Sequence, residues 1–430
     1  MATSLLIRNG LLIDTDPTPV VRSGDILVED GLIAAVETSL PDVPGAEVID
    51  AMDRIVMPGF VDTHRHTWQA AIRSVAPDIT FPGYIGRVLG ELAPRYRPED
   101  VHIGNLAGAL ECLDSGITTL LDWSHIQFSP AHTDAVADAL KRSGIRAVLG
   151  YCYGGDGGPA GLAAEGRRVH KEHFDRTGGL LTMAVAALGP EIAGEDLALH
   201  EWRLARDLDL PLSVHMGGHG AESAERGLDF LVRNDLLGPR TTYVHPNHYT
   251  DEALRRIADS GGSASVSPFV EAGLGIGYPA TGRALAAGVP TALGADTVAS
   301  APGDMFSVMR AAYALERARP GGAGMGFTTA DVLRMATIDG ARVAGLGDVT
   351  GSLTPGKQAD LILLRTDTLG LAPAHDPVGA VVMSADRGSV DTVLVGGRVV
   401  KRDGALCGHD VPALIAALTE SAGHLAAAGA

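Results

Sequence analysis

The chain has 430 residues, 46% hydrophobic but only 4% aromatic, and a formal charge of −18 from 34 basic and 52 acidic side chains. That length suits one large α/β barrel with a smaller attached unit, its core built from Ala, Val, Leu and Ile. The acidic balance excludes nucleic acid and anionic membrane as partners, since both need a basic patch for counterion release, and the apolar content excludes a disordered chain.

The opening run, Met1 to Gly10, is a short apolar stretch broken by Arg8. It reads as a strand rather than a signal peptide or membrane span. Short strands between turn residues follow: Ser4 to Thr15, Gly24 to Glu37 with a hairpin at Asp30-Gly31, and Ala46 to Val56.

Eight apolar, β-branched runs then begin near Ile55, Ile117, Ile145, Leu180, Leu210, Thr241, Ser263 and Val289. Each has the near-continuous apolar character of a strand buried on both faces. Helical patterns lie between them, among them Glu99 to Ser115, Pro130 to Ser143, Asp196 to Asp207 and Thr250 to Ser260. The alternation predicts a (β/α)8 TIM barrel over residues 58–349.

Strand-and-turn texture returns at Gly351 to Leu364 and at Val390 to Asp403, with a second hairpin at Gly396-Gly397. Residues 350–410 are therefore expected to join residues 1–57 in a small composite β-sandwich. A final helix from about Val411 runs into an Ala-rich tail, residues 411–430. Cys112, Cys152 and Cys407 have no pair spacing and read as reduced thiols of a cytoplasmic protein.

In such a barrel the chemistry sits at the C-terminal ends of the strands. The first run closes on His64-Arg65-His66, the second on Asp122 to His125, and the fourth on Gly189-Pro190-Glu191. The fifth closes on His215, the sixth on His245, the seventh on Glu271 and the eighth on Asp296. Core histidines scattered at random would show no such registration. His64 and His66, two apart on a strand, project to one face and can reach a single ion. Imidazole and carboxylate together suit Zn²⁺ or Fe²⁺, which make hydroxide available near neutral pH.

The segments PGFVDTHRH, SVHMGG, YVHPNH, GADTVAS and GSLTPGKQADLILL, in that order, resemble the amidohydrolase superfamily, within it the cytosine deaminase and s-triazine hydrolase branch. The likeness spans nearly the whole chain. It implies a hydrolase acting on C–N bonds of a small, cyclic, nitrogen-rich molecule, and a homo-oligomer. It implies that His64, His66, His215 and Asp296 bind the metal and that His245 faces the attacking water or the substrate. Asp296 would take a proton from that water and His245 would stabilise the developing anion. Relatives with two metals carry a carboxylated lysine at the end of strand four; Leu180 to Pro190 has no lysine, so one divalent ion, Zn²⁺ before Fe²⁺, is expected.

One departure stands out. The deaminase branch carries a glutamate three residues after the strand-five histidine, where it protonates a ring nitrogen and shuttles protons. Here that position is Gly218. His219, Glu222, Glu191 and Glu271 are the candidate substitutes, Glu271 and His219 foremost. The gap leaves amide hydrolysis, cyclisation and dehalogenation as alternatives to deamination. A non-catalytic scaffold would have shed metal ligands, and this chain retains them.

Trp68 and Gln69 resemble positions where relatives touch substrate, and His125 closes the second strand, so the substrate-binding set is Trp68, Gln69, His125, Glu191, His219 and Glu271. Ala76 to Pro98, carrying Phe81, Tyr84, Ile85 and Leu89, is expected to cap the site. His248 is placed behind His245, and His170 and His173 on a solvated helix face.

Overall fold

The computed structural model describes residues 4–174 and 179–427. The last three residues of the Ala-rich tail and the first three of the chain lie outside them.

Eight strands form the barrel, each hydrogen-bonded in parallel to the next: β6 (Phe60–Arg65), β7 (Ile117–Gln127), β8 (Arg146–Tyr153), β9 (Leu181–Ala187), β10 (Leu212–His215), β11 (Thr241–Val244), β12 (Ser263–Val266) and β13 (Thr291–Leu293). Closure comes from backbone just past β13. Asp296 N donates to His64 O at 2.8 Å, and His66 N donates to Asp296 O at 2.9 Å. The helices expected at Pro130, Asp196 and Thr250 span Pro130–Ser143, Glu195–Asp207 and Asp251–Asp259. Thr250 caps the last of these by accepting from Ala253 N.

The run near Ile55 is two elements rather than one. β5 (Arg54–Pro58) pairs with the small sheet, and the barrel strand β6 starts only after Gly59. An unbroken apolar run carries no mark of this change of sheet, because both strands are buried.

Both termini build the small β unit. β1 (Ser4–Asp14), β2 (Val20–Glu29), β3 (Leu32–Glu37) and β4 (Glu47–Asp50) come from the start of the chain. β14 (Leu361–Arg365), β15 (Val390–Val395), β16 (Arg398–Arg402) and β17 (Ala405–Leu406) come from its end. The nine strands share one hydrogen-bonded order, β17-β16-β15-β14-β5-β1-β2-β3, with β4 on β1. They enclose a separate aliphatic core that includes Ile7, Ile26, Ile33, Val56, Leu361 and Leu394. Gly351 to Leu364 is mostly turn, with strand only from Leu361. Arg146 of β8 makes a buried two-pronged bond to Asp360, at 2.6 and 3.1 Å, where β14 meets the barrel floor. The helix Val411–Ala427 lies on Pro98–Asp114, with Ser421 donating to Asp100 at 2.7 Å.

Candidate metal centre

Because strand side chains alternate, His64 and His66 emerge on the same side of β6, with ring centroids 4.8 Å apart. His215 ends β10 and lies 4.8 Å from the His64 ring, while His245 follows β11 and lies 5.4 Å from it. Asp296 arrives after β13 and completes the ring of donors. Its Oδ1 is 3.5 Å from His64 Nε2 and 3.3 Å from His66 Nε2, and its Oδ2 is 3.4 Å from His245 Nε2. Ligand atoms of His64, His215 and His245 lie within 4.8 Å of one another, as do those of His64, His66 and Asp296. His245 and Asp296 both hold positive φ, 62° each, a conformation non-glycine residues adopt rarely and chiefly where the surroundings enforce it.

The surroundings set the protonation of these groups. Burial, then mutual repulsion, pushes His66 and His215 well below the ordinary imidazole value. Burial also dominates at His64, whose two ring nitrogens are enclosed and without a hydrogen-bond partner. His66 donates through Nδ1 to Trp123 O at 2.7 Å, which leaves a lone pair on Nε2 facing Asp296. Burial opposes ionisation of Asp296, yet the close approach of His64 Nε2 and the charges of His245, His64 and His66 hold it well below the usual carboxylate range. Burial likewise opposes a charge on His245, but Glu271 and Asp296 override it and raise this histidine. Neutral imidazoles around one carboxylate, with a buried orphan histidine at the centre, are a donor set that fits a divalent ion.

The remaining candidates separate into three groups. Glu271 lies wholly buried behind His245 rather than at the mouth. It accepts from His245 Nδ1 at 3.0 Å, Ser267 N at 2.8 Å and Asn247 Nδ2 at 3.2 Å. Gln69 is buried too, its amide spanning Tyr84 and Thr297. Trp68, fully buried, donates to His125 Nδ1 at 3.3 Å, and the His125 ring sits 4.1 Å from that of His66. Burial pushes His125 down to about 3, so it stays neutral.

Glu191 and His219 form a second carboxylate–imidazole pair, Oε2 to Nδ1 at 3.2 Å. Glu222 is exposed and bound to Arg226, outside the site. His248 faces Ile276 O at 2.7 Å. His173 lies between Asp134 and Lys141 on the outer surface.

The segment Phe81–Leu92 is helical throughout and touches the site twice, through Tyr84 on Gln69 and through Phe81, whose ring is 5.5 Å from that of His219. Gly218 also has a physical reason. A Cβ there would lie 3.2 Å from His245 Cβ and 3.3 Å from Ile276 Cγ2, so a side chain would press on the histidine beside it.

Sequence reasoning missed three residues. Asp62, pushed up to about 6 by burial, accepts from His64 N at 3.2 Å and Ala295 N at 3.0 Å, tying the first strand to the last. A carboxylate inside the apolar run Phe60-Val61-Asp62 was the available signal. Asn247 steadies Glu271, and Trp123 packs at 4.1 Å on the His215 ring. Nothing local marks the last two, because their partners come from other strands.

Residues 55–400 match the amidohydrolase family model. The chain is 31% identical over 438 residues to the 5-methylthioadenosine/S-adenosylhomocysteine deaminase of Symbiobacterium thermophilum, covering 98% of this chain and 99% of that one. It is 32% identical over 443 residues to the 8-oxoguanine deaminase of Pseudomonas aeruginosa, covering 95% and 96%. Among solved structures, an adenosine deaminase from Xanthomonas campestris with bound zinc superposes with a TM-score of 0.89 at 26% identity, covering 99% of each chain.

Proposed function

The chain belongs to the amidohydrolase family and is a metal-dependent hydrolase of C–N bonds other than peptide bonds; on that premise we propose that it deaminates an amino-substituted, purine-like ring at a single-ion centre. The observation that carries the reading is the meeting of His64, His66, His215, His245 and Asp296 at one barrel mouth, with both nitrogens of His64 unpaired. The purine-like ring is suggested by the deaminase relatives.

His64, His66, His215 and Asp296 would hold the ion. When bound, it supplies a Lewis acid that makes hydroxide available near neutral pH, Zn²⁺ serving as well as Fe²⁺. One ion is favoured because the mouth half of β9 packs Ala184 and Ala186, which carry no ligand atom, against the Trp123 ring, and that ring fills the interior beside His215.

The chain's own groups divide the remaining work. Asp296, ionised, takes a proton from the attacking water. His245, its Nδ1 held by Glu271, presents Nε2 to the charge that develops on the attacked ring. Tyr84 and Phe81 reach over the site from the covering segment and exclude bulk water. The three cysteines are free thiols, in keeping with a cytoplasmic enzyme.

Ammonia release tests the reading. The purified protein, offered aminopurines, their nucleosides, aminopyrimidines, aminotriazines and pterins, is expected to release one ammonia per ring converted, with a purine-type ring turned over fastest. Halide release from halogenated rings, or amide opening, with no ammonia from any amino-ring would overturn it.

A further inference from the structure

We propose that His219, held by Glu191, is the proton shuttle of this reaction; the proposal rests on the deaminase reading above. Three observations lead to it. Position 218 has no side chain, and a Cβ there would crowd His245 and Ile276 at 3.2 and 3.3 Å. The other acids and histidines around the site are held differently. Glu271 is bound by three donors, His125 Nδ1 accepts from Trp68, and His248 is turned to Ile276 O. His219 is different: it stands one residue beyond the backbone that backs onto His245, under Phe81, with a side chain 22% exposed.

Glu191 gives this histidine a defined role. Its side chain is fully enclosed, and it accepts from Gly217 N at 2.9 Å as well as facing His219 Nδ1 at 3.2 Å. The helix Ala221–Arg233 approaches so closely at Gly227 that a Cβ there would fall 3.0 Å from Glu191 Cγ. A carboxylate so fixed has little freedom to leave its imidazole. It orients Nδ1–H toward itself and leaves Nε2 as the exchanging nitrogen, the arrangement by which a buried carboxylate positions a catalytic histidine. Glu191 is thus a positioning residue, and His219 the group that exchanges protons.

The proton account closes. One water proton goes to Asp296 as the oxygen bonds the ring carbon. The imidazolium of His219 gives its Nε2 proton to the neighbouring ring nitrogen, so the tetrahedral adduct is neutral. The bond from carbon to the amino nitrogen then breaks with its electron pair going to nitrogen. That nitrogen takes the proton from Asp296 and leaves as ammonia. The hydroxyl proton of the adduct passes to His219, which restores the imidazolium and leaves a ring lactam.

The test uses the full-length metal-loaded enzyme and the amino-ring that the wild type converts fastest. His219→Ala is expected to lower kcat by about 100-fold or more, the usual contribution of a positioned acid, with KM little changed. Added imidazole should restore part of that rate, a response that a merely structural loss would not give. His219→Gln, of similar size, is run beside it and should show the same loss. Glu191→Gln should slow the enzyme less, and the double variant Glu191→Gln/His219→Ala should be no slower than His219→Ala alone. Retained kcat in either folded His219 variant, or no rescue by imidazole, overturns the shuttle while leaving the deaminase reading intact. A wild type that converts no amino-ring overturns the deaminase reading and the shuttle with it.

Discussion

Two buried glutamates each hold an imidazole at the mouth of this barrel, and they do so from different strands. Glu271, after β12, serves His245 at 3.0 Å; Glu191, after β9, serves His219 at 3.2 Å. The chemical consequence differs with what the other nitrogen meets. His245 Nε2 faces Asp296 at 3.4 Å and belongs to the cluster, whereas His219 lies at the edge beneath Phe81. Glu271→Gln keeps the shape of the side chain but lets the amide offer a donor to His245 Nδ1, favouring the wrong tautomer. We expect a loss of kcat of about 10- to 100-fold, as for other residues that orient a ligand or catalytic histidine, with the fold unchanged. Steady-state kinetics beside circular dichroism checks this; an unchanged kcat would remove Glu271 from the machinery. That both glutamates lie near strand ends was readable from the chain. Which imidazole each one holds was not, because His245 and Asn247 reach Glu271, and Gly217 and His219 reach Glu191, only when separate strands come together.

At the scale of elements, the active face depends on how closely the last strand meets the first. A Cβ on Gly294 would fall 2.7 Å from His64 Cβ and 2.8 Å from His64 O, so only glycine lets the β13 turn lie against β6. Asp62 closes the same seam by accepting from both His64 N and Ala295 N. Gly294→Ala must therefore push the two strands apart and carry Asp296 away from His64. The expected cost is about 1–3 kcal/mol of stability together with weaker metal retention, read by thermal unfolding and by metal content after dialysis; unchanged values in both would show that the seam yields without consequence.

Seven of the eight barrel-strand starts were legible because buried parallel strands are nearly continuous apolar runs. The break at Gly59 was hidden for the same reason, as β5 and β6 are apolar on either side of it. The covering segment Phe81–Leu92 could be located from its apolar residues, but its contacts with Gln69 and His219 follow from tertiary packing.

The whole molecule joins two β systems through a shared apolar core, in which Ile55, Met57, Ile362 and Val393 of the small sheet take part, and through well-made polar contacts. Arg146 reaches from β8 to Asp360, whose carboxylate also accepts from Gly396 N at 2.7 Å, so one buried pair anchors both β14 and the β15–β16 turn to the barrel. A two-pronged arginine–carboxylate bond of this kind fixes orientation as much as it stabilises. The small sheet thus braces the face opposite the strand mouths and leaves those mouths to the chemistry. At this scale the central claim is that a single divalent ion sits on His64, His66, His215 and Asp296. Elemental analysis of the purified full-length chain tests it most directly, with His215→Ala and Asp296→Asn measured beside the wild type. The account predicts one equivalent of zinc or iron per wild-type chain, and in both variants, still folded, loss of that ion and of turnover. A wild type with no stoichiometric metal, a second tightly held equivalent, or variants that keep metal and activity would contradict it.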